Sequence, residues 1–196
     1  MTTPEPLWGL VLSGGESRRM GRDKALLQQD GKTALQRAIE LLGRHVERVF
    51  VSVRPDQVGD PERSRYEQIV DRYPGIGPAA GILTALETHP DVSWLVLACD
   101  LPNVDDGTLE YLLRHRSASP FTAFRSSSDG LPEPLCAIYR PTARALVADF
   151  VNQGIICPRK MLIRSDTRLL ELPVPDALDN VNTPEDLERV RQKVAS

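Results

Sequence analysis

The chain has 196 residues, of which 41% are apolar and 26% charged, with a formal net charge of -3. This length suits one large domain or two small intimate ones, and the apolar share is enough for a buried core. The acidic balance excludes a protein that meets nucleic acid or an anionic membrane through its overall charge, so any bound anion needs a local cationic cluster.

In chain order, Leu7 to Leu12 (LWGLVL) is a nearly continuous apolar run, as expected of a strand buried on both faces. A glycine-rich polar loop follows. TALQRAIELLG then reads as a helix, with Thr33 and Gln36 spaced for a capping box and Leu35, Ala38, Ile39 and Leu42 on one face; Gly43 is the expected terminator. Arg48 to Val53 is a second strand, and a polar stretch rich in Asp, Pro and Gly leads to a third at Tyr66 to Val70, ending at Asp71. Gly77 to Glu87 opens with Gly-Pro, as a helix start would. Ser93 to Asp100 (SWLVLACD) is the strongest strand signal in the chain.

The second half is less regular. Thr108 to Arg114 is expected to be helical, and FTAF and LCAIY to be strands separated by a long polar loop from Arg125 to Glu133. A helix from Pro141 to Gly154, a strand in RLLELPV and a final helix in NTPEDLERVRQKV complete the reading. Strands alternating with helices imply parallel βαβ units. The expected class is α/β: one domain over residues 1–196, a Rossmann-like three-layer α/β/α sandwich with a mostly parallel sheet. Cys99, Cys136 and Cys157 are far apart, and the three histidines scatter too, which argues against a disulfide framework or structural zinc. Cys99 reads as a small buried residue with no catalytic role. The absence of a basic, apolar leader or a long apolar span makes a cytoplasmic protein the expectation.

LSGGESRRMGRDK, from Leu12 to Lys24, stands at the carboxyl end of the first strand, where open α/β sheets bind ligands. Gly14 and Gly15 let backbone N–H groups converge on an anion. Four cationic side chains and two acidic ones lie between Ser13 and Lys24, so a phosphate chain is the natural guest; a solvated basic loop is the plainer alternative. The P-loop pattern GxxxxGK(S/T) is absent, because five residues separate Gly15 from Gly21 and Arg22 follows. The dinucleotide pattern GxGxxG is also missing, which disfavours a dehydrogenase.

The stretch resembles the signature L-A-G-G-x-x-x-R-M-G-x-D-K of nucleotidyltransferases related to the molybdenum cofactor guanylyltransferase. Leu12, Gly14, Gly15, Arg19, Met20, Gly21, Asp23 and Lys24 match it, and Ser13 replaces the usual Ala. The resemblance implies the nucleotide-diphospho-sugar transferase type of fold, with residues 1–103 binding the nucleotide and 104–196 the acceptor. It also implies that Leu12, Ser13, Gly14 and Gly15 wrap the triphosphate while Arg19 and Lys24 contact phosphates and stabilise charge during transfer. CDLP resembles the family's C-D-x-P, so Asp100 takes the role of catalytic Mg²⁺ ligand; by itself the segment equally suits a turn or cap Asp. Asp71, Gly77 and Gly81 match a segment that passes close to the nucleoside, though close helix–sheet packing explains Gly81 at least as well.

PLCAIY resembles the family's PLxAxY strand, and DNVNTPEDL its closing N-x-N-T-P-E-E-L. Asn180 and Asn182 are thereby expected near the acceptor phosphate, with turn and capping chemistry as the alternative for Asn182. Arg159 and Lys160 fall where relatives place cations facing the pterin phosphate; two solvated helix cations are the equal alternative. The resemblance implies a Mg²⁺-dependent transfer of GMP from GTP to molybdopterin with release of pyrophosphate. It also implies transient contact with a molybdenum insertase or an apo-molybdoenzyme, no nucleic acid or membrane partner, and a monomer or weak oligomer. One departure bears on the base. After the second strand, where guanylyltransferases tend to carry an Asn, this chain has Ser52 and Arg54. A cytidylyltransferase, transfer to another phosphorylated acceptor such as a sugar or cobinamide phosphate, and a non-catalytic nucleotide-binding module are the other readings.

Overall fold

The computed structural model describes residues 5–13 and 23–179. The strands are β1 (Leu7–Leu12), β2 (Gln28–Gln29), β3 (Lys32–Thr33), β4 (Val49–Val53), β5 (Glu67–Val70), β6 (Ser93–Ala98), β7 (Phe121–Arg125), β8 (Pro132–Tyr139) and β9 (Thr167–Leu170). The helices are α1 (Ala34–Gly43), α2 (Pro78–Thr88), α3 (Asp106–Arg114), α4 (Ala143–Asn152) and α5 (Pro158–Ile163). Seven strands form one sheet in the order β5-β4-β1-β6-β8-β7-β9. Only β8 runs against its neighbours β6 and β7; the remaining pairs are parallel.

Successive side chains of a strand point to opposite faces, and both faces here are covered. Val11, Val51, Leu95 and Leu97 enter one core with Leu35 and Leu42 of α1 and Leu109 and Leu112 of α3. Leu10, Phe50, Trp94 and Val96 enter a second core with Ile82 and Leu86 of α2, Val147 of α4 and Met161 of α5. The continuous apolar runs of β1 and β6 thus reflect strands buried on both sides, and the mostly parallel α/β/α sandwich is the architecture expected.

The local chemistry of α1 is also as expected. Thr33 Oγ1 accepts the Gln36 N–H at 3.0 Å, and Gln36 Oε1 accepts the Thr33 N–H at 3.0 Å. Its end differs from expectation. Gly43 stays helical, and Arg44 caps the helix in the right-handed region, its N–H turned to Leu41 O and Leu42 O. The segment before α1 is a small hairpin rather than a plain polar turn. Asp30 and Gly31 take φ of 52° and 79°, the left-handed pair that a tight hairpin turn requires.

Further on, the expected long loop from Arg125 to Glu133 shrinks to residues 126–131, since β8 already starts at Pro132, opposite Arg125. Proline is tolerated as a first strand residue because no ladder donor is needed there. Helix α4 begins at Ala143 rather than Pro141, and β9 ends at Leu170, short of the LPV tail. The final helix expected after Asn182 lies outside the described residues. No helix among the described residues is long and apolar enough to cross a membrane.

Candidate active site

Sheet topology creates the site. From β1 the chain moves outward to β4 and β5, then returns through α2 to β6 on the other side of β1. A crevice opens beyond the carboxyl ends of strands where the winding reverses in this way. Leu12 lies opposite Ala98 in the β1–β6 register, and the Cys99 N–H donates to Leu12 O at 3.3 Å. Ser13 and Asp100 therefore leave neighbouring strands side by side. On the other flank Leu12 lies opposite Ser52 of β4, and the Asp71 N–H, just past β5, donates to Val53 O at 2.8 Å.

These strand ends wall a cleft of about 540 Å³, within the range of about 300–1,000 Å³ usual for small-molecule sites. Leu12, Ser13, Asp71, Gly77 and Asp100, all expected to bind nucleotide, line it. Lys24 follows in the single turn Lys24–Leu26, whose Ala25 reaches the same cleft. Gly14, Gly15 and Arg19, like Asn180 and Asn182, lie outside the described residues.

Gly77 explains its own presence. It caps α2 with φ 59° and ψ −139°, a conformation that belongs almost only to glycine. Pro78 follows at the first helical turn, where its missing N–H costs nothing. Gly81 has another task. A Cβ there would stand 2.2 Å from Ser52 Oγ and 2.8 Å from Ser52 Cβ. Gly81 is buried and does not line the cleft; its residue type lets α2 press against β4, in place of the ligand contact that the resemblance implies.

Ser52 holds the other side of that contact. Its hydroxyl donates to Asp71 Oδ1 at 2.8 Å. Burial pushes the Asp71 carboxyl up from 3.8 to about 6, against the opposing pull of the Ser52 hydroxyl and of the Arg54 guanidinium. Arg54 and Asp56, also on the cleft wall, form a paired contact: Nε and Nη2 each donate to one carboxylate oxygen at 3.0 Å. Ser52 and Arg54 occupy the place where the resemblance looks for an Asn.

Cys99 is half-buried and lines the cleft, where the sequence reading expected a buried residue. Burial, followed by the carboxylates of Asp100 and Asp23, pushes its thiol up to about 12. It stays protonated at neutral pH and has no thiolate to offer as a nucleophile.

Sequence reasoning missed Arg63. This residue is 1% exposed and reaches beneath the cleft to Ser13, which is equally buried. Ser13 Oγ donates to Ser52 O at 2.9 Å and accepts from Arg63 Nε at 3.1 Å. The polar, proline-rich segment that carries Arg63 has no hydrophobic period to place it, so a buried cation there left no signal in the pattern.

Arg159 lies away from the cleft walls, and it donates to Asp129 Oδ2 at 2.9 Å and Glu133 Oε2 at 3.0 Å, which ties α5 to the start of β8. Lys160 beside it is exposed. Burial pushes the Glu133 carboxyl up, and the nearby Asp100 charge adds to that, so Glu133 lies on the Asp100 side of the molecule.

The Asp100 carboxylate stands in the cleft as a candidate donor to a metal ion. Among the described residues no group of three or more His, Cys, Asp or Glu side chains forms a metal cage. Mg²⁺ is usually bound by one or two carboxylates plus substrate phosphates and water, and Asp100 in the cleft beside Ser13 is a donor of that kind.

Comparison with known proteins agrees with this fold. Residues 9–168 match the family model described as the MobA-like NTP transferase domain. A molybdenum cofactor biosynthesis bifunctional protein from Synechocystis is 40% identical over 189 residues, covering 94% of this chain; the chain spans 54%, about half, of that longer protein. A probable molybdenum cofactor guanylyltransferase from Trichormus variabilis is 31% identical over 190 residues, covering 92% of this chain and 88% of its own length. The solved structure of molybdopterin-guanine dinucleotide biosynthesis protein A from Archaeoglobus fulgidus superposes with a TM-score of 0.79 at 27% identity, covering 96% of this chain and 98% of that one. Matching in sequence across most of its length and in fold across nearly all of it, the chain belongs to the MobA-like NTP transferase family of nucleotidyltransferases.

Proposed function

We propose that this nucleotidyltransferase moves GMP from GTP to the terminal phosphate of molybdopterin, giving molybdopterin guanine dinucleotide and pyrophosphate. The observation that carries the reading is the convergence of Ser13, the turn bearing Lys24, and Asp100 at the reversal of the sheet, in a cleft with room for a nucleotide. The likeness to the probable molybdenum cofactor guanylyltransferase of Trichormus variabilis supports guanylyl transfer to that cofactor.

In this reaction an acceptor phosphate oxygen attacks the α-phosphorus. The bond from that phosphorus to the bridging oxygen breaks, and pyrophosphate leaves with the electron pair. No protein nucleophile is needed, which agrees with the protonated Cys99. The chain's task is to hold the reactants in line and to meet the charge on the phosphates. Arg19 and Lys24 supply cations on the triphosphate, and Asn180 and Asn182 serve the acceptor. Asp100 is the residue that would hold Mg²⁺, and the ion would neutralise phosphate charge. With Ser52 and Arg54 where the resemblance expects an Asn, CTP is the second reading for the base.

Asp100→Ala and Lys24→Ala should each lower kcat/KM by about 10²-fold or more, with unchanged circular dichroism. Near-normal rates in both folded variants would remove this assignment.

A further inference from the structure

Arg63 sits on a single turn, Arg63–Arg65, in the polar segment between β4 and β5. A buried guanidinium is costly unless its donors are met. Here Nε donates to Ser13 Oγ at 3.1 Å, while Nη2 donates to Ser13 O at 2.9 Å and to Asp23 Oδ2 at 2.6 Å. Nη1 faces Asp60 Oδ1 at 3.4 Å, and the same oxygen accepts the Arg63 backbone N–H at 2.9 Å. The cation is thus matched by two carboxylates and directed into the protein.

What it joins is more informative. Ser13 is the first residue after β1 and lines the cleft. Asp23 directly precedes the turn that carries Lys24: its Oδ1 accepts the Ala25 N–H at 3.0 Å, and its carbonyl accepts the Leu26 N–H at 3.1 Å. One planar group therefore fixes the distance and orientation between the end of β1 and that turn. A fork with donors in fixed directions does this; a flexible ammonium would not.

We propose that Arg63 is a positioning residue, which by clamping Ser13 to Asp23 holds the Lys24 turn in register with the phosphate end of the cleft. It acts through those two residues and on the polyphosphate of the nucleotide, leaving acceptor binding alone. This rests on the assignment of that end of the cleft to phosphate.

The test compares Arg63→Met, which keeps the apolar stem, with Arg63→Lys, which keeps the charge and loses the fork. Steady-state kinetics gives KM for GTP and for molybdopterin, and calorimetry gives the Kd of inorganic pyrophosphate with Mg²⁺. In Arg63→Met, the GTP KM and the pyrophosphate Kd should rise together by about tenfold or more, because small misplacements at such sites cost that much. The acceptor KM should stay at its wild-type value, and Arg63→Lys should recover only part of the loss. A merely structural Arg63 would reduce the folded fraction and the Tm while both KM values and the pyrophosphate Kd of the folded protein stayed unchanged; that result overturns the proposal. If Arg63→Met does not fold, Asp23→Ala, which removes the Asp23 arm of the clamp, and Ser13→Ala, which removes the Nε bond and leaves the one to the Ser13 carbonyl, carry the same comparison, with the larger effect expected from Asp23→Ala. Weakened pyrophosphate binding in the variants, with no transfer from any nucleotide in the wild type, would sink the transferase reading and leave the clamp standing. A wild-type chain that binds no pyrophosphate would sink both.

Discussion

At Asp71 a single carboxyl links the fold to pH. Its value is raised from 3.8 to about 6, mainly by burial, so the folded chain holds this proton more tightly than the unfolded one. The stability that Asp71 contributes is therefore present at low pH and declines as pH climbs from about 4 to about 6, then levels off. Asp71→Asn keeps an oxygen to accept the Ser52 hydroxyl and removes the charge. Urea denaturation at several pH values between about 4 and 7 should show the variant gaining on the wild type across that window, with no further gain above it. A constant difference at every pH would contradict the shift. At this scale the sequence told only part of the story. Leu12, Ser13, Asp71, Gly77 and Asp100 were legible because a long motif and strand-end positions marked them, and all five line the cleft. Arg63 was not, because nothing in a polar segment distinguishes a buried arginine from a solvated one. Ser13 looked like a small departure from the motif, but its hydroxyl is bonded on both sides, to Ser52 O and to Arg63 Nε. The partners of Arg159 were not legible either, because sequence does not show that Asp129 and Glu133 will surround it.

At the scale of elements, the contact of α2 with β4 shapes the Asp71 side of the cleft. Gly81 permits it, since even a methyl group would overlap Ser52. Gly81→Ala should destabilise the fold by about 1–3 kcal/mol, the usual cost of overpacking a tight core. The same change should disturb the Ser52–Asp71 bond, so weaker nucleotide binding should accompany it. Denaturant titration and calorimetry check the two effects together; a variant as stable as the wild type would show that the helix moves aside freely. Helices and buried strands were legible wherever apolar period and caps agreed, as in α1 with its Thr33–Gln36 box. The Asp30–Gly31 hairpin escaped because its strands are two residues each, too short to show alternation. The early start of β8 escaped because a proline-flanked Glu reads as loop, whereas here Glu133 is buried within a strand.

For the whole molecule, one sheet with a core on each face sets strand ends from the first half of the chain beside β8 of the second. The winding reverses where the chain crosses from β5 to β6, and the cleft lies at that point. The alternation of apolar runs with helical periods made this architecture legible, since continuous burial on both faces demands helices on both sides. Only the antiparallel turn of β8 goes beyond what the parallel units imply, and hydrophobic runs carry no record of strand direction. The second half of the chain was less legible than the first because ion pairs, rather than motifs, organise its loops.

The most direct test of the central claim is pyrophosphate release by the purified protein with Mg²⁺ and molybdopterin, with GTP, CTP, ATP and UTP supplied one at a time. Release with GTP, together with molybdopterin guanine dinucleotide as product, is the expected result. Release with CTP alone would contradict the guanylyl assignment and place the base reading with Arg54 and Asp56, while silence with all four nucleotides would contradict the transferase itself.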